Sequence, residues 1–220
     1  MTAYIFLALF FAASVIHLID TWRDLPKRRR VTKPMLLFFL TLYYVFSADP
    51  VSALMLAALV TSWLGDVLLI PDGVVWFGAG GISFFASHIL FITVYASNID
   101  FAGVRWYVII PVFVLYLAVS LKVILSIRDN TQKLLLAPLY LYLAANGAMN
   151  AFALMQLMAR PCAGSVMAFV GAVLFFVSDC ALFICIFHKN KNLIFKQHFT
   201  VMLTYLAGQC LITSGILLMG

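Results

Sequence analysis

The sequence contains no glutamate, and charged residues of every kind make up only 10% of its 220 residues. Soluble domains carry about 25% charged and 45–50% apolar residues, whereas this chain is 65% hydrophobic. A water-soluble globular protein is therefore excluded. The net charge of +6 does not indicate a nucleic-acid partner, because five of the fourteen basic residues are concentrated between Arg23 and Arg30.

Cysteines are few, and the familiar catalytic signatures of soluble enzymes are missing. The four cysteines form neither a C-x-x-C motif nor a spacing typical of metal ligands. The chain has no G-x-S-x-G, H-E-x-x-H or phosphate-binding loop motif. We therefore expect neither a bound cofactor nor a resident metal, and a serine hydrolase is disfavoured.

Long, continuous apolar runs dominate the chain. A helix needs about 20 apolar residues to cross a hydrocarbon core, and non-alternating runs favour helices over a barrel. The sequence therefore predicts an all-α fold, a polytopic membrane bundle of eight helices that forms one domain over residues 1–220. The predicted spans are 2–19, 34–48, 51–70, 74–96, 105–126, 134–158, 164–187 and 198–219. The second span is short, at roughly 22 Å, and must begin earlier, cross a thinned bilayer or fail to cross.

Basic residues predict the orientation of this bundle. Twelve of the fourteen lie in or beside the connections that follow odd-numbered helices, and only Arg105 and Arg160 lie on the other side. The positive-inside rule then places both termini outside the cytoplasm. The first connection acts as a topology determinant, or alternatively as a site for anionic lipid headgroups. Small loops and the absence of targeting tails favour a bacterial inner membrane.

Two carboxylates interrupt the apolar runs, Asp66 in helix 3 and Asp179 in helix 7. Ionisable groups at membrane depth are costly unless they face protein or water, so each is a candidate functional residue. Helices 3 and 7 run in the same direction, which places both acids in the cytoplasmic half of the membrane. We expect the two carboxylates to share one cavity.

Other polar residues fall at a similar depth and recur at four-residue spacing along helix faces. The amides are open to two interpretations, interhelical hydrogen bonding and substrate contact. The histidine of helix 4 is likewise open to two, a core residue and a site residue. These residues are His88 of helix 4, Tyr142, Asn146 and Asn150 of helix 6, and Tyr205 and Gln209 of helix 8.

Five short motifs, read in order, resemble those of the YhhN family, also called the transmembrane protein 86 or lysoplasmalogenase family. The resemblance covers nearly the whole chain and implies an integral membrane hydrolase. Such an enzyme cleaves the vinyl-ether bond of lysoplasmalogens to a fatty aldehyde and glycerophosphoethanolamine or glycerophosphocholine. The motifs are Lys33-Pro34, Leu64-Gly65-Asp66, Ser87-His88, the segment from Gly171 to Asp179, and Thr204-Tyr205-Leu206-Ala207.

Paired carboxylates suit this chemistry. Vinyl-ether hydrolysis begins with proton delivery to carbon and passes through an oxocarbenium ion, as glycosidase chemistry does. Asp179, the deeper acid, is assigned as proton donor, and Asp66 as the ionised partner that activates water. Lys33 binds the substrate phosphate or serves only as a topology charge. The expected substrate contacts, which orient the headgroup or water, are Lys33, His88, Asn146, Tyr205 and Gln209.

Two other functions remain open at this point. Asp66, Asp179 and His88 are also a ligand set for a metal-dependent lipid hydrolase. Buried carboxylates equally serve proton-coupled transporters and lipid carriers. In every case the expected partners are membrane lipids, with a vinyl-ether lysophospholipid as substrate of the hydrolase.

Overall fold

The computed structural model describes residues 2–190 and 192–220 and confirms the predicted all-α fold. Met1, which precedes the predicted first span, and Lys191, which belongs to the last basic connection, lie outside the described residues. Within those ranges there are eight α-helices and no strand. They are α1 (Thr2–Trp22), α2 (Pro26–Ser47), α3 (Ala53–Leu68), α4 (Val74–Ala96), α5 (Trp106–Ile127), α6 (Lys133–Ala159), α7 (Ala163–Phe187) and α8 (Gln197–Leu217).

Six of these helices are long and apolar enough to cross a membrane, namely α1 and α4 to α8. The protein is therefore a multi-pass helical membrane protein. Each of the six begins and ends within three residues of its predicted bounds. This agreement reflects long apolar runs that end at polar or proline-containing connections.

The predicted start of α2 at residue 34 is wrong, since the helix begins at Pro26 and contains Pro34 in its interior. Pro26 occupies the first turn, where its missing N–H costs no hydrogen bond. The basic segment that follows was assigned to a connection because of its charge. Long basic side chains can leave a helix near its end and reach water, so charge alone does not end the helix.

The predicted third helix, 51–70, is too long at both ends. In the structure α3 covers Ala53–Leu68, and the side chain of Ser52 accepts a hydrogen bond from the backbone N–H of Met55 at its start. Its sixteen residues rise only about 24 Å. Asp66 consequently lies two residues from the end of α3, closer to that end than the sequence predicted.

The C-terminal end of α3 and the start of α2 lie at the same end of the bundle. Arg30 on α2 forms an ion pair with Asp72, just beyond α3, at 2.6 Å. At this end Trp22, the last residue of α1, also packs edge-on against Phe199 at the start of α8. We call it the basic end, because the lysines and arginines of α2 are located here.

Glycines bring α7 and α8 into backbone contact. A Cβ atom added to Gly171 would lie 2.6 Å from the carbonyl oxygen of Gly208, and one added to Gly208 would lie 2.8 Å from the carbonyl oxygen of Gly171. Gly164 and Gly215 repeat this arrangement nearer the other end of the two helices. Such close approach is typical of small-residue packing in membrane helices. It holds α7, which carries Asp179, against α8, which carries Tyr205.

Replacing Gly171 with alanine is expected to lower the stability of the bundle by about 1–3 kcal/mol, because the new methyl group meets backbone that cannot turn aside. The measurement is the unfolding temperature of the detergent-purified protein. Gly103→Ala is the matched control, since a Cβ there meets nothing within 4 Å. Equal unfolding temperatures for the two variants would contradict the close α7–α8 packing.

Candidate active site

Asp66 is fixed near the end of α3 by partners from two distant helices. Its side chain is buried, the Tyr205 hydroxyl of α8 donates a hydrogen bond of 2.8 Å to Oδ2, and the Lys33 ammonium of α2 lies 3.5 Å from Oδ1. The preceding Gly65 leaves room for the ring of Phe84, whose carbons would lie 2.6 Å from an added Cβ. The Leu64-Gly65-Asp66 motif therefore combines a carboxylate with the gap that lets α4 approach it.

Asp179 receives its contacts on a single oxygen. The Tyr142 hydroxyl and the Asn146 amide donate to Oδ2 at 2.9 and 2.7 Å, and His88 Nε2 lies 3.3 Å from the same atom. Tyr142 and Asn146 are one turn apart on α6, as their spacing predicted. None of these three contacts involves Oδ1. The Asp179 carboxyl group therefore has one oxygen, Oδ1, that these three residues do not contact.

Aromatic rings surround the polar contacts. The imidazole of His88 packs edge-on against Tyr142 and Phe175, with ring centroids 5.0 and 4.9 Å apart. Tyr205 packs against Phe84 and Phe175 in the same manner. These apolar walls lower the local dielectric around both carboxylates, which strengthens any charge interaction between them and a ligand.

The two aspartates line the same small cavity of about 100 Å³, which we call the carboxylate cavity. Lys33 and Tyr205 line it as well, so the acids, the cation and a hydroxyl converge from α2, α3, α7 and α8. Carboxylates that are far apart in the sequence thus come within reach of one small group. This is the geometry that the sequence predicted for Asp66 and Asp179.

Gln209 lies outside the residues that line the carboxylate cavity. Its amide nitrogen donates to the Ser62 hydroxyl at 3.2 Å, and Ser62 in turn hydrogen-bonds with Ser87. Asn150 likewise contacts protein groups, donating to Asn146 and accepting from the Tyr116 hydroxyl. For Gln209 and Asn150 the geometry is that of interhelical hydrogen bonding. Asn150 also helps to fix the position of Asn146, which donates to Asp179.

A second, larger cavity of about 300 Å³ adjoins the first at the basic end. Arg29, Arg30 and Lys33 line it together with His198 and with Asp72, which pairs with Arg30, and we call it the basic cavity. Lys33 and His198 also line the carboxylate cavity, so the two spaces share a wall. Three cationic side chains against one carboxylate leave a net positive lining, which is well matched to a phosphate group.

His198 is the site residue that the sequence reasoning missed, because it stands at the very start of the predicted eighth span, beside the basic connection. It lies in the first turn of α8, seven residues before Tyr205. Seven residues are two helical turns, so the two side chains project from one face of the helix. That spacing was available in the sequence and would have identified His198.

A metal centre receives no support from the ligand geometry. Among residues 2–190 and 192–220, no three histidine, cysteine or acidic side chains form a group able to hold an ion. Asp66, Asp179 and His88 therefore do not form the ligand set considered as an alternative. The polar contacts of the two carboxylates come instead from hydroxyl, amide, ammonium and imidazole groups.

The bundle and its cavity define a polytopic helical membrane protein with a buried two-carboxylate site that adjoins a cationic cavity. The model of the YhhN family matches residues 28–216, which is most of the chain. The protein therefore belongs to the YhhN family, and the resemblance noted from its motifs is confirmed. Comparisons with curated proteins and with solved structures gave no match.

Proposed function

We propose that the protein is a lysoplasmalogenase-type hydrolase that cleaves the vinyl-ether bond of lysophospholipids within the membrane. The observation that carries this proposal is the convergence of Asp66 and Asp179 on one cavity beside Lys33. Two carboxylates in different surroundings provide the acid and the base that vinyl-ether hydrolysis requires. Membership of the YhhN family supports the same class of reaction.

Asp179 delivers the first proton in this proposal. Its Oδ2 accepts from Tyr142 and Asn146, so a neutral carboxyl carries its proton on Oδ1, away from these donors. Transfer of that proton to the alkenyl carbon next to the ether carbon breaks the double bond. The resulting cation is shared between the ether carbon and its oxygen, and Asp179 is left as a carboxylate.

Asp66 then acts on water. Lys33 supplies the positive charge that an ionised Asp66 needs in apolar surroundings, and Tyr205 fixes the orientation of the carboxylate. Water attacks the cationic carbon and gives up a proton to Asp66. The product of this attack is a hemiacetal. The bond between the hemiacetal carbon and the glycerol oxygen then breaks, and the hemiacetal hydroxyl proton passes to that oxygen. The products are a fatty aldehyde and the glycerol hydroxyl, so the net reaction consumes one water. Proton return from Asp66 to Asp179 resets the pair.

The substrate headgroup is placed in the basic cavity. Arg29, Lys33 and His198 line this space, and a lysophospholipid phosphate there would leave the glycerol end at the boundary with the carboxylate cavity. The vinyl-ether oxygen is attached to the glycerol carbon at this end. The order of the cavities thus matches the order of groups along the substrate.

Incubation of the detergent-purified protein with a vinyl-ether lysolipid is expected to release fatty aldehyde. A matched acyl lysolipid with the same headgroup and chain is expected to release no fatty acid, because proton transfer to carbon needs the electron-rich double bond. Both products are measured side by side by mass spectrometry. Fatty acid in place of aldehyde would contradict the proposal, as would lipid movement across proteoliposomes without any cleavage.

A further inference from the structure

An apolar groove of about 340 Å³ lies on the side of the bundle between α4 and α6, next to the carboxylate cavity. Phe77, Gly78 and Gly81 form its α4 wall, Leu135 and Pro138 lie opposite on α6, and Leu182 of α7 closes its inner side. We call it the α4–α6 groove. Apart from the hydroxyl of Tyr142, every side chain that lines it is apolar. The groove has no role in the proton transfers proposed above.

The groove and the carboxylate cavity share part of their walls. Leu69, Phe84 and Leu182 line both spaces. Tyr142 lines the groove and donates its hydroxyl hydrogen bond to Asp179. A ligand in the groove can therefore contact the side chain of Tyr142, which hydrogen-bonds to Asp179.

Charge is distributed in order along these spaces. The basic cavity shares Lys33, Leu69, His198 and Met202 with the carboxylate cavity, and the apolar groove meets both cavities at Leu69. A molecule that fills all three spaces must be anionic at one end and hydrocarbon at the other. A single-chain phospholipid has this distribution.

The groove is open toward the lipid-facing surface of the bundle. Ile82 and Leu141 on its rim are 73% and 61% exposed, and Gly78 is exposed as well. The stretch of α4 that lines it, from Val74 to Phe85, rises about 17 Å, which is close to half of the roughly 30 Å hydrocarbon core. A hydrocarbon chain can enter sideways from one leaflet without leaving apolar surroundings.

Two glycines leave the α4 wall without side chains. A Cβ added to Gly78 or Gly81 would meet nothing within 4 Å, in contrast to Gly65, Gly80 and the α7–α8 glycines, whose added Cβ atoms would collide. Close helix packing therefore does not explain Gly78 and Gly81. Their missing side chains enlarge the groove.

We propose that the α4–α6 groove holds the hydrocarbon chain of the substrate and that Gly78 and Gly81 determine which chain lengths are accepted. This inference rests on the proposed function for the identity of the reacting bond. Because Gly78 and Gly81 have no side chains, the groove admits a long chain. A larger side chain at either position shortens the groove. Chain selection then depends on how many methylenes the groove buries.

The test compares Gly81→Leu and Gly78→Leu with wild type on vinyl-ether lysolipids of one headgroup and increasing chain length. A leucine at either position fills part of the groove, and overfilling an apolar space is costly, so kcat/KM on long chains is expected to fall about tenfold, chiefly through KM. Turnover of short chains is expected to stay at the wild-type level. Val75→Phe is the matched control, because Val75 is 81% exposed on α4 and lies outside the groove lining.

A second readout separates this inference from the reaction itself. Alkyl-ether lysolipids of the same lengths lack the reactive double bond, so their binding is followed as a rise in the unfolding temperature of the protein. Long chains are expected to stabilise the wild type more than short chains, and Gly81→Leu is expected to remove the difference. If the wild type releases no aldehyde yet shows this behaviour, the function fails and the groove assignment stands. Stabilisation or turnover that changes equally for all chain lengths overturns the groove assignment.

Discussion

Asp179→Asn is expected to reduce aldehyde release by about three orders of magnitude while the protein still folds. General acid catalysis contributes roughly 10²–10⁴ to a rate, and an amide has no carboxylic proton to deliver to carbon. The side chain keeps its shape, and its carbonyl oxygen can still accept from Tyr142 and Asn146. The loss is therefore expected in kcat, with little change in KM. Initial rates at saturating substrate measure kcat.

The control for this variant is Asp129→Asn, which changes an exposed carboxylate paired with the neighbouring Arg128. It removes the same charge without touching the cavity and is expected to leave turnover at the wild-type level. Unfolding temperatures of both variants establish that neither has lost its structure. Asp179→Asn that still turns over like the wild type would remove Asp179 from the mechanism.

Asp66→Asn is expected to reduce turnover by about two orders of magnitude, since the carboxylate proposed to take the proton from water is then lost. This variant also leaves Lys33 without its ionic partner in a largely buried place, so the unfolding temperature is expected to fall. Activity and stability are thus both affected. A single substitution does not separate the two effects.

The double variant Asp66→Asn with Lys33→Gln separates them. Removing both charges eliminates the unpaired ammonium, so the unfolding temperature is expected to recover toward the wild-type value. Aldehyde release is expected to stay at or below the level of Asp66→Asn, because Lys33 also lines the proposed phosphate site. Recovery of turnover along with stability would show that the single variant fails for lack of folding, and Asp66 would then have no part in the chemistry.

Most of the helical architecture could be predicted because the hydrophobic effect imposes long apolar segments on any chain that crosses a membrane. The start of α2 could not, since hydropathy treats the basic residues after Pro26 as a connection. In the structure these residues continue the helix, and the side chains of Arg29, Arg30 and Lys33 line the basic cavity. Charge predicts which end of a helix is near water, and it does not predict where the helix begins.

The candidate site could be predicted only as a set of residue types at membrane depth. Four-residue spacing placed Tyr142 and Asn146 on one face of α6, but only the packing of α6 against α7 shows that both donate to Asp179. Lys33 beside Asp66, and the separation of Gln209 from the cavity, likewise depend on how α2, α3 and α8 meet. Such contacts join residues far apart in the chain, for which local sequence carries no signal.

The hydrogen bond from Tyr205 to Asp66 spans 139 residues and has a consequence for biogenesis. Helices leave the ribosome in order, so α3 is complete long before α8 is synthesised. Until then, Asp66 has Lys33 of the preceding helix as a partner but lacks its hydroxyl donor, and the wall formed by His198 is missing. A nascent chain therefore carries its charge pair early and completes the lining of the carboxylate cavity only when the eighth helix has been added.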